Sequence, residues 1–334
     1  MADYKDIKGG TIQNFAGDPP APIAGQVWYD STAVAFQYRT SNPAGAWSTA
    51  ANLNTARQQA GASGNSTAAL VFGGTADPPK HALTESYDGS SWTEVGDLNT
   101  ARTHVAGCGT QTAALAFAGD GSPSQLALTE TWDGSSWTEV GDLNTARRQL
   151  WGAGTNTSAL AFGGETAPGS GSGQESSVLS ETWNGSAWTE GGDLNAARRE
   201  LGGGGVVTSA LAFGGHGYPH PTAHFASNES YNGSTWTEVA DLNTGRDRLA
   251  GSGASNTAAL AFGGEASPGN VTNTEQWNGT SWTEVNDLNT AAHFLGGHGT
   301  TSSTIAQLGG APSISNKAEE WNTPSETSET ITTS

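Results

Sequence analysis

Along this chain, short apolar runs of four to seven residues alternate with turn-forming clusters, and the alternation itself recurs. Within each unit a Gly-rich run such as THVAGCG is followed by an apolar run ending in a glycine pair (AALVFGG, SALAFGG, AALAFGG). TESYDG or TETWDG comes next, and then SWTEV. Gly, Asn, Asp or Ser bounds every run, which is how strands joined by tight turns read. No window carries a helical period. The turn between the third and fourth runs is DGSS, DGSS, NGSA, NGST and NGTS in successive units. Asp-Gly and Asn-Gly are strong hairpin signals because glycine accepts positive φ without steric cost. Each unit therefore predicts a four-stranded antiparallel meander.

The units are anchored by Trp47, Trp92, Trp137, Trp188, Trp236 and Trp282, spaced 45, 45, 51, 48 and 46 residues apart. That is the period of a propeller blade rather than of a short solenoid coil. Gly73-Gly74, Gly163-Gly164, Gly214-Gly215, Gly263-Gly264 and Gly309-Gly310 form the glycine pairs, with Ala118-Gly119 the one departure. An aromatic slot follows (Tyr87, Trp132, Trp183, Tyr231, Trp277, Trp321), then the Trp five residues on. Ten residues after that Trp comes Arg57, Arg102, Arg147, Arg198 or Arg246. This order resembles the kelch repeat from about Trp47 to Trp321, and the resemblance implies a kelch-type β-propeller. Ala292 replaces Arg in the sixth unit, so a weaker junction is expected there.

After Trp321 the pattern calls for another Trp, but the chain has Glu326; the missing strand is the one around Trp47. The expected fold is all-β, a six-bladed propeller closed by an N-terminal strand completing the last blade. Residues 1–45 are expected as a non-repeat attachment arm with a small hairpin (QVWYD, VAFQYR), residues 46–322 as the propeller, and residues 323–334 as a flexible Ser/Thr/Glu-rich tail.

Composition fits this reading. Glycine supplies 47 of 334 residues, as turn-rich β repeats require. The single cysteine, Cys108, excludes an internal disulfide. The start, MADYKDIKGG, is polar and does not read as a signal peptide, and no apolar stretch is long enough to span a bilayer. A net charge of −19, from 32 acidic against 13 basic residues, repels phosphate backbones and argues against nucleic acid as a partner.

A feature present in every unit reads first as structural. The repeat Trp rings are expected to be buried packing; truncating one costs about 3–5 kcal/mol. The repeat Arg residues are expected to pair with the acid before each aromatic slot: Glu85, Glu130, Glu181, Glu229, Glu275 and Glu319 or Glu320. Function is expected where the copies diverge. In a meander, the loops between strands two and three share a face with the connections from strand four to the next strand one. Those loops read TADPPKHAL, AGDGSPSQLAL, ETAPGSGSGQESSVL, HGYPHPTAHFAS, EASPGNVT and APSISNK. The two residues entering each innermost strand also diverge, and are expected to rim a central channel as either a ligand pocket or a solvated edge: Gln58 and Gln59, Thr103 and His104, Arg148 and Gln149, Arg199 and Glu200, Asp247 and Arg248, His293 and Phe294.

Candidate ligand-binding residues are therefore His216, Tyr218, His220, His224 and Phe225 in the fourth loop, with His104, Arg148, Arg199, Arg248 and His293 at the rim. Imidazoles at spacing four suit zinc or copper from one helix face. Pro219 and Pro221 exclude that helix, and no carboxylate or Cys lies among them in sequence. An exposed aromatic and imidazole contact surface is expected instead, with neither metal nor cofactor. Asp120 in GDGSPS is a weak calcium candidate. Catalysis is not expected. The galactose-oxidase type of kelch propeller holds copper with two Tyr and two His, one Tyr cross-linked to Cys; here Tyr87 and Tyr231 fill a packing slot, and Cys108 has no matching Tyr.

The MADYKDI start, the DPPAP linker, the GQVWYD element and units of the AALAFGG and TESYDGSSWTEVGDLNTAR type together resemble virion proteins of tailed phages of marine bacteria. The resemblance implies a tail-fibre or receptor-binding appendage on the particle surface. Its arm would join other virion proteins, and its propeller would meet host-surface glycan or protein. A decoration component without host binding and a secreted or cell-surface sugar-active enzyme are the alternatives.

Overall fold

The computed structural model describes residues 13–16, 26–39, 45–76, 79–122, 124–166, 175–217, 224–310, 313–323 and 328–330. Two units emerge, Gly45–Asn322 and a smaller one formed by residues 1–44 and 323–334. No helix occurs among the described residues.

The larger unit holds six four-stranded antiparallel sheets in a propeller-like arrangement. The first runs Gly61–Asn65, Ala68–Phe72, Thr84–Tyr87 and Trp92–Glu94. Innermost strands of the next four sheets are Ala106–Gly109, Trp151–Thr155, Gly202–Val206 and Ala250–Ser255. The sixth sheet takes Gly296–Thr300, Ser303–Gln307 and Ala318–Asn322 from the end of the unit, and Ala46–Thr49 from its start. Trp321 lies opposite Trp47 in that last pairing, as the expected closure requires. Neighbouring innermost strands touch in chain order, and the sixth touches the first. Little room is left between them: a Cβ on Gly251 would lie 2.3 Å from the Gly203 carbonyl oxygen.

Each hairpin between strands three and four closes on an Asx contact. The Asp88 carboxylate accepts the Ser90 and Ser91 amides at 2.9 and 2.8 Å, while Gly89 takes φ +89°. The second glycine-pair signal is equally local. Gly163 adopts φ +68°, and a Cβ there would sit 2.9 Å from the Arg198 carbonyl. Ala118 keeps the same left-handed backbone at φ 61°, whereas the sixth sheet departs from the expected pair: Leu308 and Gly309 fill the two slots, Gly310 takes the bridging place of Thr75, and none of the three has positive φ.

Sheets are joined through the repeat Trp. Its ring packs on a Phe from the second strand of the preceding sheet: Trp137 on Phe72, Trp188 on Phe117, Trp236 on Phe162, Trp282 on Phe213 and Trp47 on Phe262, with centroids 4.8–5.0 Å apart. Four of these indoles also donate across the junction to a hydroxyl, on Thr84, Thr129, Ser180 and Thr274 respectively for Trp137, Trp188, Trp236 and Trp47. Trp92 has neither partner, because the sixth sheet carries Gln307 and Ala318 in those slots. Its indole turns to the Ala51 carbonyl, and Gln307 instead donates to the Arg57 carbonyl at 2.6 Å.

Beneath each connection the repeat Arg is buried and paired: Arg57–Glu85, Arg102–Glu130, Arg147–Glu181, Arg198–Glu229 and Arg246–Glu275, at 2.6–3.2 Å. Burial pulls each guanidinium below its ordinary pKa, and the paired glutamate opposes that shift. Each glutamate also accepts a backbone amide from the connection, as when Asn144 N–H bonds Glu181 at 2.7 Å. In the sixth sheet the buried acid is Glu319 rather than Glu320, held by the Asn289 amide and side chain.

The smaller unit contains the expected hairpin, Val27–Asp30 against Ala35–Arg39. Two elements were not anticipated. Asn14–Phe15 adds in parallel, and Ser328–Thr330, inside the segment expected to be a flexible tail, pairs with Gln37–Arg39. An open strand edge is a template for extended backbone whatever its side chains. The Ser/Thr/Glu composition of the tail does not oppose such pairing.

Arg147→Ala leaves Glu181 buried without its cation and is expected to cost about 3–5 kcal/mol of unfolding free energy in a urea titration. Glu319→Gln, which orphans no guanidinium, should cost clearly less. Equal losses for the two variants would show that the ion pair is not what holds the connections down.

Candidate functional site

In every sheet the residue entering the innermost strand has left-handed backbone: Gln59, His104, Gln149, Glu200, Arg248 and Phe294, with φ between 51° and 59°. Glycine would meet this geometry without strain, yet all six positions carry side chains. The backbone reason is a run of five hydrogen bonds from sheet to sheet, with Gln149 and His104 meeting through their side chains instead. His104 N–H donates to Gln59, Glu200 to Gln149, Arg248 to Glu200, Phe294 to Arg248 and Gln59 to Phe294, at 2.8–3.4 Å. Turning the chain to make these bonds aims the six side chains at the axis.

They surround the mouth of an axial cavity of about 80 Å³, lined deeper by Leu150, Trp151, Leu201 and Leu249. This volume takes a few waters or a small polar group; anything larger would sit across the mouth. The side chains form a chain of contacts. Gln149 Nε2 lies 3.3 Å from His104 Nε2 and donates to Glu200 at 2.6 Å. Arg248 Nε donates to Glu200 at 2.9 Å, and its guanidinium lies 5.0 Å over the Phe294 ring. Phe294 in turn meets His104 edge-on at 5.6 Å.

One residue earlier, a second circle joins each connection to the loop between strands two and three. Gln58 pairs with Thr75, Thr103 with Asp120, Arg148 with Glu165, Arg199 with His216, Asp247 with Glu265 and His293 with Gly310. The variable loops and variable connections therefore share one side, as the meander argument requires. Their charges neutralise one another. Lys80 and Arg148 reach Asp120 at 3.3 and 3.2 Å, Arg148 also bonds Glu165 at 2.8 Å, and Glu165 is shared with Arg199. Arg248 joins Glu200 to Glu265. Asp120, the calcium candidate, is thus an acceptor for two cations.

His216 is not on an exposed surface. It is buried, with Nε2 accepting from Arg199 Nε at 2.9 Å and Nδ1 lying 2.7 Å from Asp247 Oδ2. Carboxylates absent from its own loop reach it from the connections before and after its sheet, Glu200 and Asp247, a juxtaposition made by the packing of the sheets and invisible in sequence. His224 is partly exposed, with Nδ1 3.3 Å from the same Asp247 oxygen, and Phe225 is half-buried. Tyr218 and His220 lie outside the described residues. The rim side chains His104, Arg148, Arg199, Arg248 and His293 do gather on this side. Glu165, Glu265 and Lys80 were missed; for the two glutamates, their place directly after a glycine pair was a usable signal.

Burial shifts several of these groups. Glu200 is raised by desolvation, with Arg248 and His216 opposing. Desolvation alone would raise Asp247, but the contacts with His216 and Arg248 outweigh it and leave it lowered. For Arg248, the surrounding Glu200, Asp247 and Glu265 overcome desolvation and raise the pKa. Desolvation, reinforced by Arg148, pulls His104 down to about 3. The Cys108 thiol is buried and pushed up by desolvation, which makes it a poor nucleophile.

At the opposite end, a cavity of about 430 Å³ is lined by Gly64, Asn65, Gly109, Thr110, His298 and Thr300, with no charged side chain. His298 bonds the Gly64 carbonyl at 3.0 Å, and burial lowers its pKa.

No family model and no curated protein matches this chain.

Between the unfolded histidine value near 6.5 and the folded value of about 3 for His104, the unfolded chain binds the extra proton. Stability therefore rises with pH across that window and is lost as pH falls below about 6.5. His104→Gln should shallow the pH slope of unfolding free energy, by at most one proton, in denaturant titrations between pH 7 and 4.5. Identical slopes would mean the imidazole is not desolvated at the mouth.

Proposed function

We propose that the six sheets are the blades of a kelch-type propeller, and that the chain is a non-enzymatic virion structural protein of a tailed bacteriophage of marine bacteria. In this reading it is a tail-fibre or receptor-binding appendage on the particle surface, joined to other virion proteins through residues 1–45. The observation that carries the recognition role is the pairing of every variable loop with a variable connection, which gathers sequence divergence on one side, around the axial mouth. Variable loops on a repeated, well-packed framework are the usual setting for recognition. The repeat chemistry is consumed by packing: Tyr87 and Tyr231 lie against Trp92 and Trp236, and the repeat Arg and Glu are buried together. The virion assignment rests on the MADYKDI, DPPAP and GQVWYD segments and the repeat wording.

A second reading, a virion decoration component without host binding, is favoured by one specific feature. The charges of the variable side already satisfy one another, from Lys80 through Asp120, Arg148 and Glu165 to Arg199. A surface built for a charged ligand would leave some of them open.

Binding of the purified chain to intact host cells separates the two. Exchanging residues 216–225 for the shorter loop of the fifth sheet should weaken cell binding roughly tenfold or more, a loss of at least about 1.4 kcal/mol. Unaltered binding would move recognition elsewhere, and no binding by the parent chain would favour decoration. Deleting residues 1–25 should abolish incorporation into particles under both readings; incorporation of the truncated chain would remove the virion role of the arm.

A further inference from the structure

Beside the axial mouth, the fourth loop and the connections before and after it bury polar atoms, three of which leave hydrogen-bonding capacity unused. His216, Glu200 and Asp247 are 4%, 8% and 2% exposed. One ligand atom from each lies within 4.8 Å of the others. His216 Nδ1 is 2.7 Å from Asp247 Oδ2 and 3.4 Å from Glu200 Oε2, yet it is aligned for a hydrogen bond with neither. His224 brings a second unpartnered Nδ1 to 3.3 Å from the same Asp247 oxygen, and Asp247 Oδ1 is also without a partner. Buried polar atoms are ordinarily hydrogen-bonded, so three unmet atoms, on His216, His224 and Asp247, converging beside Glu200 require an account.

We infer that Glu200, His216 and Asp247 form a binding site for a divalent transition metal of the zinc class, with His224 as the fourth ligand on the solvent side. Mixed imidazole and carboxylate donors suit zinc-like ions better than magnesium or calcium, which take oxygen alone. In a tetrahedral zinc site with bonds of about 2.0–2.2 Å, ligand atoms stand roughly 3.3–3.5 Å apart. The His216–Glu200 and His224–Asp247 separations of 3.4 and 3.3 Å already meet this spacing. The 2.7 Å His216–Asp247 contact has to open by roughly 0.6 Å to reach it.

The surroundings support the ligands. Glu200 is oriented by Gln149 on one oxygen and Arg248 on the other, the outer contacts that fix a ligating carboxylate. Metal on His216 Nδ1 places the ring proton on Nε2, so the present Arg199 Nε contact must release. Arg199 has Glu165 to hold it when that happens. Partial exposure of His224 gives the ion its path in.

The site shares the 216–225 loop with the recognition reading, but zinc uptake and cell binding by the parent chain are read separately, so either can fail alone. The test uses the full chain, without a polyhistidine tag, stripped by chelator and titrated with zinc chloride in a calorimeter. Cobalt(II) then serves as a visible-absorption probe of the coordination geometry. One equivalent of zinc per chain is expected, with a tetrahedral cobalt spectrum. Binding should weaken by at least roughly 100-fold in His216→Ala and Asp247→Asn, more than loss of outer support alone produces. It should be unchanged in His298→Gln, a histidine at the opposite end of the innermost strands that bonds the Gly64 carbonyl. The inference is overturned if the parent chain takes up no stoichiometric zinc, or if both cluster variants, folded by circular dichroism, bind as it does. In either case His216 instead shares a proton with the two carboxylates. Titration of the parent chain decides the matter even where a variant fails to fold.

Discussion

What joins one sheet to the next is an indole laid across the junction, and the other regularities of the larger unit follow from it. The repeat Trp stands on the outermost strand, covers the Phe of the preceding sheet, and in four junctions donates to a hydroxyl there. The polar handle matters because a buried indole N–H needs an acceptor. With the ring fixed, the neighbouring aromatic slot, the glycine pair and the buried arginine have definite places. Each hydrophobic cluster accordingly draws residues from adjacent sheets, as where Leu70 and Phe72 pack with Trp132 and Trp137.

The junction between sixth and first sheets is built differently. Gln307 and Ala318 occupy the Phe and hydroxyl slots, and Ala292 leaves Glu319 without a guanidinium. The replacement is polar and backbone-directed, through Gln307 to the Arg57 carbonyl and Asn316 to the Leu53 carbonyl. These departures cluster in the sheet that takes its outer strand from the start of the unit. There, sequence-distant strands must find each other, and closing so long a loop carries an entropic cost that local hairpins avoid.

On the variable side, six left-handed residues do two jobs at once. Five of them donate a backbone hydrogen bond to the neighbouring sheet, while all six side chains line the axial mouth. Strain at each position is offset by the bond it permits. Burial makes the electrostatics of this region steep: Glu200 is raised, Asp247 is lowered and His104 is kept neutral, all within a few contacts of one another.

Much of this was legible in the chain. Strand order, hairpins, the strand exchange at Trp47 and the Arg–Glu pairs follow from local signals repeated six times, because turn chemistry and strand alternation act over a handful of residues. The rim residues were also readable, as variable positions after a fixed Arg. Several features were decided only by tertiary structure. Ser328–Thr330 takes a strand edge that composition does not announce. The hydroxyl of TES or TET becomes an acceptor only once the next sheet's indole reaches it. His216 meets Glu200 and Asp247 because separate connections converge at the axis, over sequence separations that no spacing rule spans. Local patterns determine local geometry; which buried groups face one another depends on how the six sheets pack against each other.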